Sequence, residues 1–214
     1  ENEARWLLAE DLSLGSRAQL SVYDRGAVTV GDELVIGRGS LVELAEAAAR
    51  IRVDGGAFEF SAGTLATGLF VGDLHNLGGT LAPGASPGLT EIDGDYSQDV
   101  NAALDIELGP AAHDILRVSG AVLLGGRLQV SLVDGFTPQV GSGFDFLFAA
   151  AGIQGHFDEV LLPALAHGRL VLRDFGSHLR LEVAPVPLPP AAGLLGIGLL
   201  ALRRRRPGRK LESN

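Results

Sequence analysis

Gln19-Leu-Ser-Val-Tyr-Asp-Arg-Gly-Ala-Val-Thr-Val30 holds two short alternations of apolar and polar residues, one on each side of a turn. Alternation at every second residue is typical of a β-strand with one buried face. Similar segments follow at Glu33–Ile36 and Ala57–Phe60, with Gly or Asp between them. Short strands joined by tight turns are typical of the coils of a parallel β-solenoid. We therefore predict solenoid-like coils for residues 1 to 85, with a plain antiparallel sheet as the alternative.

One run inside this region has the composition of a helix. Leu41 to Arg50 reads Leu-Val-Glu-Leu-Ala-Glu-Ala-Ala-Ala-Arg, and most of these residues favour helices. The neighbouring pattern of short strands favours a different assignment. We predict a strand at Ser40 to Leu44, followed by a loop or a single helical turn.

Longer alternations occupy the second half of the chain. In Arg127-Leu-Gln-Val-Ser-Leu-Val133 the three apolar residues at 128, 130 and 132 share one face, and polar residues share the other. One buried and one wet face is the usual pattern of an antiparallel sheet in a sandwich. We predict an antiparallel β-sandwich-like domain for residues 86 to 184, so the fold class is all-β: a short parallel solenoid, a sandwich-like cap and a C-terminal apolar helix.

The last thirty residues differ in character from the body. Pro185-Val-Pro-Leu-Pro-Pro190 is a stiff segment that cannot continue a ladder of hydrogen bonds. Ala191 to Leu202 is uncharged, and Arg203-Arg-Arg-Arg206 follows at once. Twelve helical residues span about 18 Å, which is short of a bilayer core of about 30 Å. We predict a Pro-rich linker, a membrane-sorting helix and an Arg-rich tail over residues 185 to 214.

Composition excludes several classes of function. The chain has no Cys, so disulfides, zinc fingers and thiol enzymes are excluded. Residues 203 to 214 hold six of the 17 basic residues and one of the 26 acidic ones, which leaves a net charge of −14 on the body. Such a body repels phosphates, so we expect no nucleic-acid partner.

The order of the C-terminal elements is informative. A Pro-rich box at Val186, Pro187, Leu188 and Pro189 precedes the apolar segment, and the four arginines 203 to 206 end it. This arrangement resembles the PEP-CTERM sorting signal of Gram-negative bacteria, with Leu188 where Glu is usual. The resemblance implies recognition and processing by an exosortase, a membrane-embedded cysteine protease. In this interpretation Arg203, Arg204, Arg205 and Arg206 form the membrane stop, since guanidinium groups are costly to move across lipid.

A second resemblance covers residues 78 to 183. Gly79-Thr-Leu-Ala-Pro-Gly-Ala-Ser-Pro-Gly88 and Asp114-Ile-Leu-Arg-Val-Ser-Gly120 are similar to the end of autotransporter-type β-helix passengers. In such proteins a sandwich-like β-domain shields the last coil of the solenoid. The resemblance implies this role for residues 90 to 184.

Four patterns suggest chemistry but fit a structural role better. Gly84-Ala-Ser-Pro-Gly88 matches a serine-nucleophile motif, yet Pro87 lacks the N–H that would help to form the oxyanion hole. Asp93, Asp95 and Asp99 lack the bidentate Glu of a complete calcium loop. The outward pair Asp105 and Glu107 is ordinary for a wet strand face. The five histidines at 75, 113, 156, 167 and 178 have no paired spacing for a metal.

These observations predict an exported structural or adhesive protein of the bacterial surface or matrix. We expect no catalytic, cofactor-binding or metal site and no cofactor. The expected partners are an exosortase-type protease and, transiently, the inner membrane, with extracellular polysaccharide as a further candidate. The alternatives are a polysaccharide-binding or polysaccharide-degrading β-helix enzyme and a plain integral membrane protein.

Overall fold

The computed structural model describes residues 5–8, 12–22, 26–30, 34–36, 40–44, 50–53, 58–84 and 87–186. The elements in these ranges are β-strands, and none of the ranges contains a helix long and apolar enough to cross a membrane. In chain order the strands are β1 (Arg5–Leu8), β2 (Leu12–Leu14), β3 (Gln19–Val22), β4 (Ala27–Val30), β5 (Leu34–Ile36), β6 (Leu41–Leu44), β7 (Arg50–Val53), β8 (Phe58–Phe60), β9 (Thr64–Thr67), β10 (Leu69–Val71), β11 (Leu74–Asn76), β12 (Thr80–Pro83), β13 (Leu89–Asp93), β14 (Tyr96–Gln98), β15 (Ala103–Leu108), β16 (Ile115–Val118), β17 (Val122–Leu124), β18 (Arg127–Leu132), β19 (Gly143–Ala149), β20 (Ile153–Gly155), β21 (Glu159–Leu161), β22 (Arg169–Asp174) and β23 (His178–Ala184).

Each solenoid strand pairs in parallel with the strand three places further along the chain, so the chain winds as a solenoid. Sheet 1 contains β1, β4, β7, β10, β13, β16 and β19 in that order, and sheet 3 contains β3, β6, β9, β12, β15, β18 and β21. Sheet 2 contains β8, β11, β14, β17 and β20, and the pair β2–β5 comes before it with β5 in contact with β8. Three successive strands therefore make one coil. The last four coils, from Leu69 to Leu161, are described without a gap except at residues 85 and 86. The predicted all-β parallel solenoid is confirmed.

The core consists of columns of apolar side chains that stack from coil to coil. In-register pairing places Ile51, Phe70 and Ile92 in one column of sheet 1, each with at most 1% of its surface exposed. Burial of such side chains contributes roughly 25 cal/mol per Å² of apolar surface, which makes the columns the main source of stability. Trp6 belongs to the same column but is 58% exposed, because β1 is the edge strand of sheet 1.

Buried amide side chains hold the corner between sheets 2 and 3. Asn76 Oδ1 accepts a hydrogen bond from the Gly79 N–H at 2.9 Å. One coil later, Gln98 occupies the matching position and donates through Nε2 to the carbonyls of Gly125 at 2.8 Å and Arg127 at 3.0 Å. A buried backbone N–H or C=O group without a hydrogen-bond partner destabilises a protein by about 1–3 kcal/mol. The amide side chains of Asn76 and Gln98 supply such partners where the chain turns from sheet 2 to sheet 3.

The antiparallel sandwich predicted for residues 86 to 184 is not confirmed. Strands β13 to β18 pair in parallel with the strand three places along, and Asp105, for example, lies opposite Gln129. The long alternations were ambiguous because a solenoid strand also has one inner and one outer face: in β18, Leu128 and Val130 are buried while Gln129 is exposed. The strand predicted at Ser40 to Leu44 is confirmed as β6.

Among the strands that the structure describes, antiparallel pairs occur at the end of sheet 1, and an isolated antiparallel bridge joins Leu108 to His113. β23 pairs with β19, and β22 pairs with β23 to form a terminal hairpin. A bulge between Asp145 and Leu147 turns both Phe146 and Leu147 into the core. The hairpin covers the edge that β19 would otherwise present. The apolar helix predicted over residues 191 to 202 lies outside the described residues.

Candidate functional site

The predicted sorting motif begins where the described chain ends. After β23, Pro185 and Val186 are exposed, and 62% of the Val186 surface is accessible. The end of β23 is fastened, since the Gly141 N–H donates to the Val183 carbonyl at 2.9 Å. The tail therefore leaves from a fixed point on the terminal hairpin. Pro187, Leu188, Pro189 and the four arginines 203 to 206 lie outside the described residues.

A shallow acidic groove crosses the outer face of sheet 3. It has a volume of about 250 Å³ and is bordered by the carboxylates of Glu43, Asp105, Glu107 and Asp114 over a floor of small residues that includes Thr64, Ala66 and Ala82. Asp105 and Glu107, predicted to be outward wet-face residues, do lie on the outer face and are half-buried. Burial raises the pKa of Asp105, the nearby Arg127 lowers it, and Glu107 raises it.

Asp114 is the buried carboxylate of this groove. Its Oδ1 accepts a hydrogen bond from the Gly88 N–H at 2.6 Å, and its Oδ2 accepts one from the Glu107 N–H at 2.8 Å. Burial raises the pKa of Asp114 to about 6; the two hydrogen bonds oppose this shift, and the negative charges of Glu107 and Asp105 add to it. A raised pKa is typical of a general acid. Both Asp114 oxygens nevertheless accept hydrogen bonds from backbone N–H groups. Asp114 therefore joins Gly88, just before β13, to Glu107 in β15.

The Asp114 carboxyl makes the stability of the chain depend on pH. Because its pKa is raised from 3.8 to about 6 on folding, the folded state holds the proton more tightly, and the free energy of unfolding falls as pH rises through this window. We expect a contribution of at most about 3 kcal/mol, since one pKa unit corresponds to about 1.4 kcal/mol. Denaturant unfolding at pH 4 to 7 measures it.

Asp114→Asn is expected to remove this part of the pH dependence and to destabilise the chain below about pH 4 by about 1–3 kcal/mol, because the amide N–H₂ would face a backbone donor. The difference from wild type should shrink as pH rises through 6, where wild type loses the contribution of the Asp114 proton. Asp134→Asn removes the same charge from an exposed turn and serves as the control. A pH profile of Asp114→Asn that matches wild type would contradict this role of Asp114.

Asp93 and Asp95, two of the three aspartates considered as calcium ligands, instead join successive coils at the corner between sheets 1 and 2, as Asp73 does. Asp73 Oδ1 accepts from the Asp95 N–H at 2.8 Å, and Asp95 Oδ1 accepts from the Ala121 N–H at 2.7 Å. Asp93 Oδ1 accepts from the Ser119 hydroxyl at 3.0 Å. No group of three or more His, Asp or Glu among the described residues is placed to hold a metal ion. A signal was present in the sequence: Gly-Asp recurs at 72–73 and 94–95.

The described residues on either side of the serine motif belong to the end of β12 and the approach to β13. β12 ends at Pro83, Gly84 has a positive φ of 62°, and β13 begins at Leu89. A nucleophile elbow requires a helix directly after the serine turn. Ser86 itself lies outside the described residues.

An aromatic stack, formed by Phe148, Phe175 and His178, lies on the outer face of sheet 1 at the terminal hairpin. The rings of Phe175 and His178 are 4.6 Å apart at an angle of 5°, and those of His178 and Phe148 are 5.9 Å apart at 16°. The Arg117 guanidinium carbon lies 5.9 Å from the centre of the Phe148 ring. Phe175 remains 55% exposed. Sequence reasoning missed this stack because its members come from separate strands and the hairpin turn.

Ion pairs surround the aromatic stack. Arg180 Nη1 lies 2.8 Å from Asp145 Oδ2, and Arg173 Nε lies 3.1 Å from Glu182 Oε2. His178 Nε2 is 3.8 Å from Asp145 Oδ1, an atom that has no hydrogen-bond partner in the described part of the chain. The contacts of Asp145 join β19 to the hairpin strand β23, the Arg173–Glu182 pair joins β22 to β23, and together they fix the position of the stack.

A second shallow groove on sheet 1 borders the aromatic stack. It has a volume of about 360 Å³ and is lined by residues of β10, β13 and β16, among them Leu69, Glu91 and Arg117. Arg117 is the neighbour of Phe148 in the sheet, and Phe148 is the neighbour of His178. The groove and the stack therefore form one continuous outer surface.

Comparison with protein-family models and with curated proteins finds no match for this chain.

Proposed function

We propose that this chain is an exported structural or adhesive protein of the bacterial surface or matrix, and that its C-terminal tail directs its sorting. The observation that carries the proposal is the position of Pro185 and Val186, the first residues of the tail (residues 185 to 214). Both are exposed, and they follow directly after a hairpin that is hydrogen-bonded to the preceding chain at Gly141. Proline has a fixed φ and no N–H, so the following segment with Pro187 and Pro189 is suited to extended binding by a processing enzyme.

The tail has the charge and hydropathy order that such sorting needs. The apolar residues 191 to 202 enter the membrane, while the arginines 203 to 206 stay on the cytoplasmic side because their transfer into lipid is unfavourable. The solenoid thus faces outward. An exosortase-type membrane protease then cuts near residues 186 to 189 and releases the acidic body to the cell surface or beyond it.

The alternative is a polysaccharide-degrading enzyme, for which the acidic groove is the favourable feature. A general acid must reach the atom that it protonates. Both Asp114 oxygens already accept hydrogen bonds from backbone N–H groups. The nearby Asp105 belongs to no group of three or more metal-ligating side chains among the described residues. We therefore favour a protein without catalytic activity.

Export of the full chain from a host with an exosortase, and from the same host without it, tests the sorting proposal. We expect the exported protein to end near residues 186 to 190 only when the protease is present, as measured by intact mass. Replacing the arginines 203 to 206 by Gln should abolish this processing, while replacing them by Lys should preserve it because the charge is kept. Recovery in both hosts of an exported protein that still contains the arginines 203 to 206 would overturn the proposal.

A further inference from the structure

Phe175 lies at the surface, where a ligand can contact its ring, and not in the core. It occupies the turn of the terminal hairpin, where the Phe175 N–H donates to the His178 carbonyl at 3.0 Å and the Gly176 N–H donates to Asp174 Oδ1 at 2.7 Å. His178 covers one face of its ring, and 55% of the residue stays accessible. An apolar ring held by a rigid turn loses little conformational entropy when a ligand covers it.

The stacked rings give this surface a defined preference. The face of an aromatic ring carries partial negative charge and attracts groups with partial positive charge. The C–H groups on one side of a sugar ring are such groups, and their flat, apolar side matches the size of a phenyl ring. Phe175, supported from behind by His178 and Phe148, therefore offers a platform for a sugar ring.

Charges around the platform are balanced. Arg117 lies 3.9 Å from Glu91, Arg180 lies 2.8 Å from Asp145, and Arg173 lies 3.1 Å from Glu182. These half-exposed groups can donate and accept hydrogen bonds at the edge of a hydroxylated ligand. Because each of these three arginines has a carboxylate beside it, the surface favours a neutral ligand over a polyanion or a polycation.

The spacing of outward residues fits a polymer that crosses the strands. Glu91, Arg117, Phe148 and His178 are successive neighbours across sheet 1. Neighbouring strands are about 4.8 Å apart, which is close to the length of one sugar ring. A linear glycan that starts on the aromatic stack would therefore meet about one outward side chain per sugar as it enters the groove beside Arg117 and Glu91.

We propose that the aromatic stack and the groove beside it form a binding site for a neutral polysaccharide. Phe175 stacks on a sugar ring, and the paired side chains bind hydroxyl groups. This proposal rests on the proposed function, because a protein of the cell surface or matrix is one that meets such a polymer. Binding is measured on the purified chain and does not involve the tail, so failure of sorting and failure of binding are separate results.

Affinity gel electrophoresis and calorimetry of the full chain test the site, with dextran, mixed-linkage β-glucan and galactomannan as neutral probes and alginate as the anionic probe. We expect at least one neutral probe to bind and Phe175→Ala to weaken it roughly five- to tenfold. Leu123→Ala is the matched control, because Leu123 is a 53% exposed apolar residue on sheet 2, away from the stack. Leu123→Ala should bind as wild type does.

Three results would overturn the proposal: no binding of any neutral probe, binding of alginate alone, or equal binding by wild type and Phe175→Ala. A loss of binding in both alanine variants would also count against it, since the effect would not be specific to the stack. Thermal unfolding of Phe175→Ala is expected to match wild type, which separates loss of the platform from loss of the fold.

Discussion

Gly126→Ala is expected to destabilise the chain by about 4 kcal/mol or more, a magnitude that marks severe structural conflict. Gly126 has a φ of 59°, and a Cβ at this position would stand less than 3.0 Å from the carbonyl oxygens of Ala102 and Asp99. Both oxygens belong to the preceding coil. Since backbone atoms cannot rotate away, the coils would have to separate at this corner.

Gly135→Ala is the matched control for the corner. Gly135 has a similar φ of 67°, but a Cβ there would meet no atom within 4 Å. Only the left-handed conformation is then unfavourable, by roughly 1–2 kcal/mol. Denaturant unfolding of both variants measures the difference. Equal destabilisation by the two changes would show that the close approach of the coils at Gly126 is absent.

Phe70→Ala is expected to destabilise the chain by about 3–5 kcal/mol, the usual effect of removing a buried aromatic side chain. Phe70 is fully buried between Ile51 and Ile92 in its column, and its ring centre lies 5.4 Å from that of Phe58. The neighbouring coils are held by in-register hydrogen bonds, so they cannot close the cavity that the ring leaves.

The exposed Phe175 provides the comparison for Phe70. Phe175→Ala should change the free energy of unfolding by no more than about 0.5 kcal/mol, as is usual for surface substitutions. Urea unfolding monitored by circular dichroism measures both variants. A loss below about 1 kcal/mol for Phe70→Ala would contradict the continuous column of sheet 1.

Strand positions were readable from the sequence, whereas strand partners were not. The strands predicted at Glu33–Ile36, Ser40–Leu44 and Ala57–Phe60 agree within one residue with the bounds of β5, β6 and β8. Alternation reveals which face of a strand is buried, but it does not reveal whether the neighbour is parallel. The predicted sandwich was therefore not confirmed even though its strands were placed well. Three-residue strands such as β20 and β21 were missed because they are too short to show alternation.

The candidate surfaces depended on contacts between distant residues. Arg117, Phe148 and His178 are separated by about thirty residues at each step. The coil length brings Arg117 beside Phe148, and the antiparallel pairing of β23 with β19 brings His178 beside Phe148. Asp114 looked like an ordinary residue before β16, and its burial follows from backbone donors at Gly88 and Glu107. The tail was the opposite case, since its order of Pro-rich, apolar and basic segments is visible in the sequence alone.

The direction of pairing between β15 and β18 tests the continuous parallel solenoid most directly. The chain has no Cys, so introduced pairs can be oxidised without interference. Parallel pairing places Ala103 opposite Arg127 and Glu107 opposite Ser131. Changing both members of either pair to Cys should give rapid disulfide formation, because neighbouring strands lie about 4.8 Å apart and a disulfide joins Cα atoms about 4.4–6.8 Å apart.

The crossed combinations supply the opposite expectation. Ala103→Cys with Ser131→Cys, and Glu107→Cys with Arg127→Cys, place the thiols about 13 Å apart along parallel strands, beyond the reach of a disulfide. Mass mapping of the oxidised protein separates the two cases. The parallel solenoid predicts cross-links only for Ala103 with Arg127 and for Glu107 with Ser131, whereas cross-links only in the crossed combinations would show antiparallel strands and contradict it.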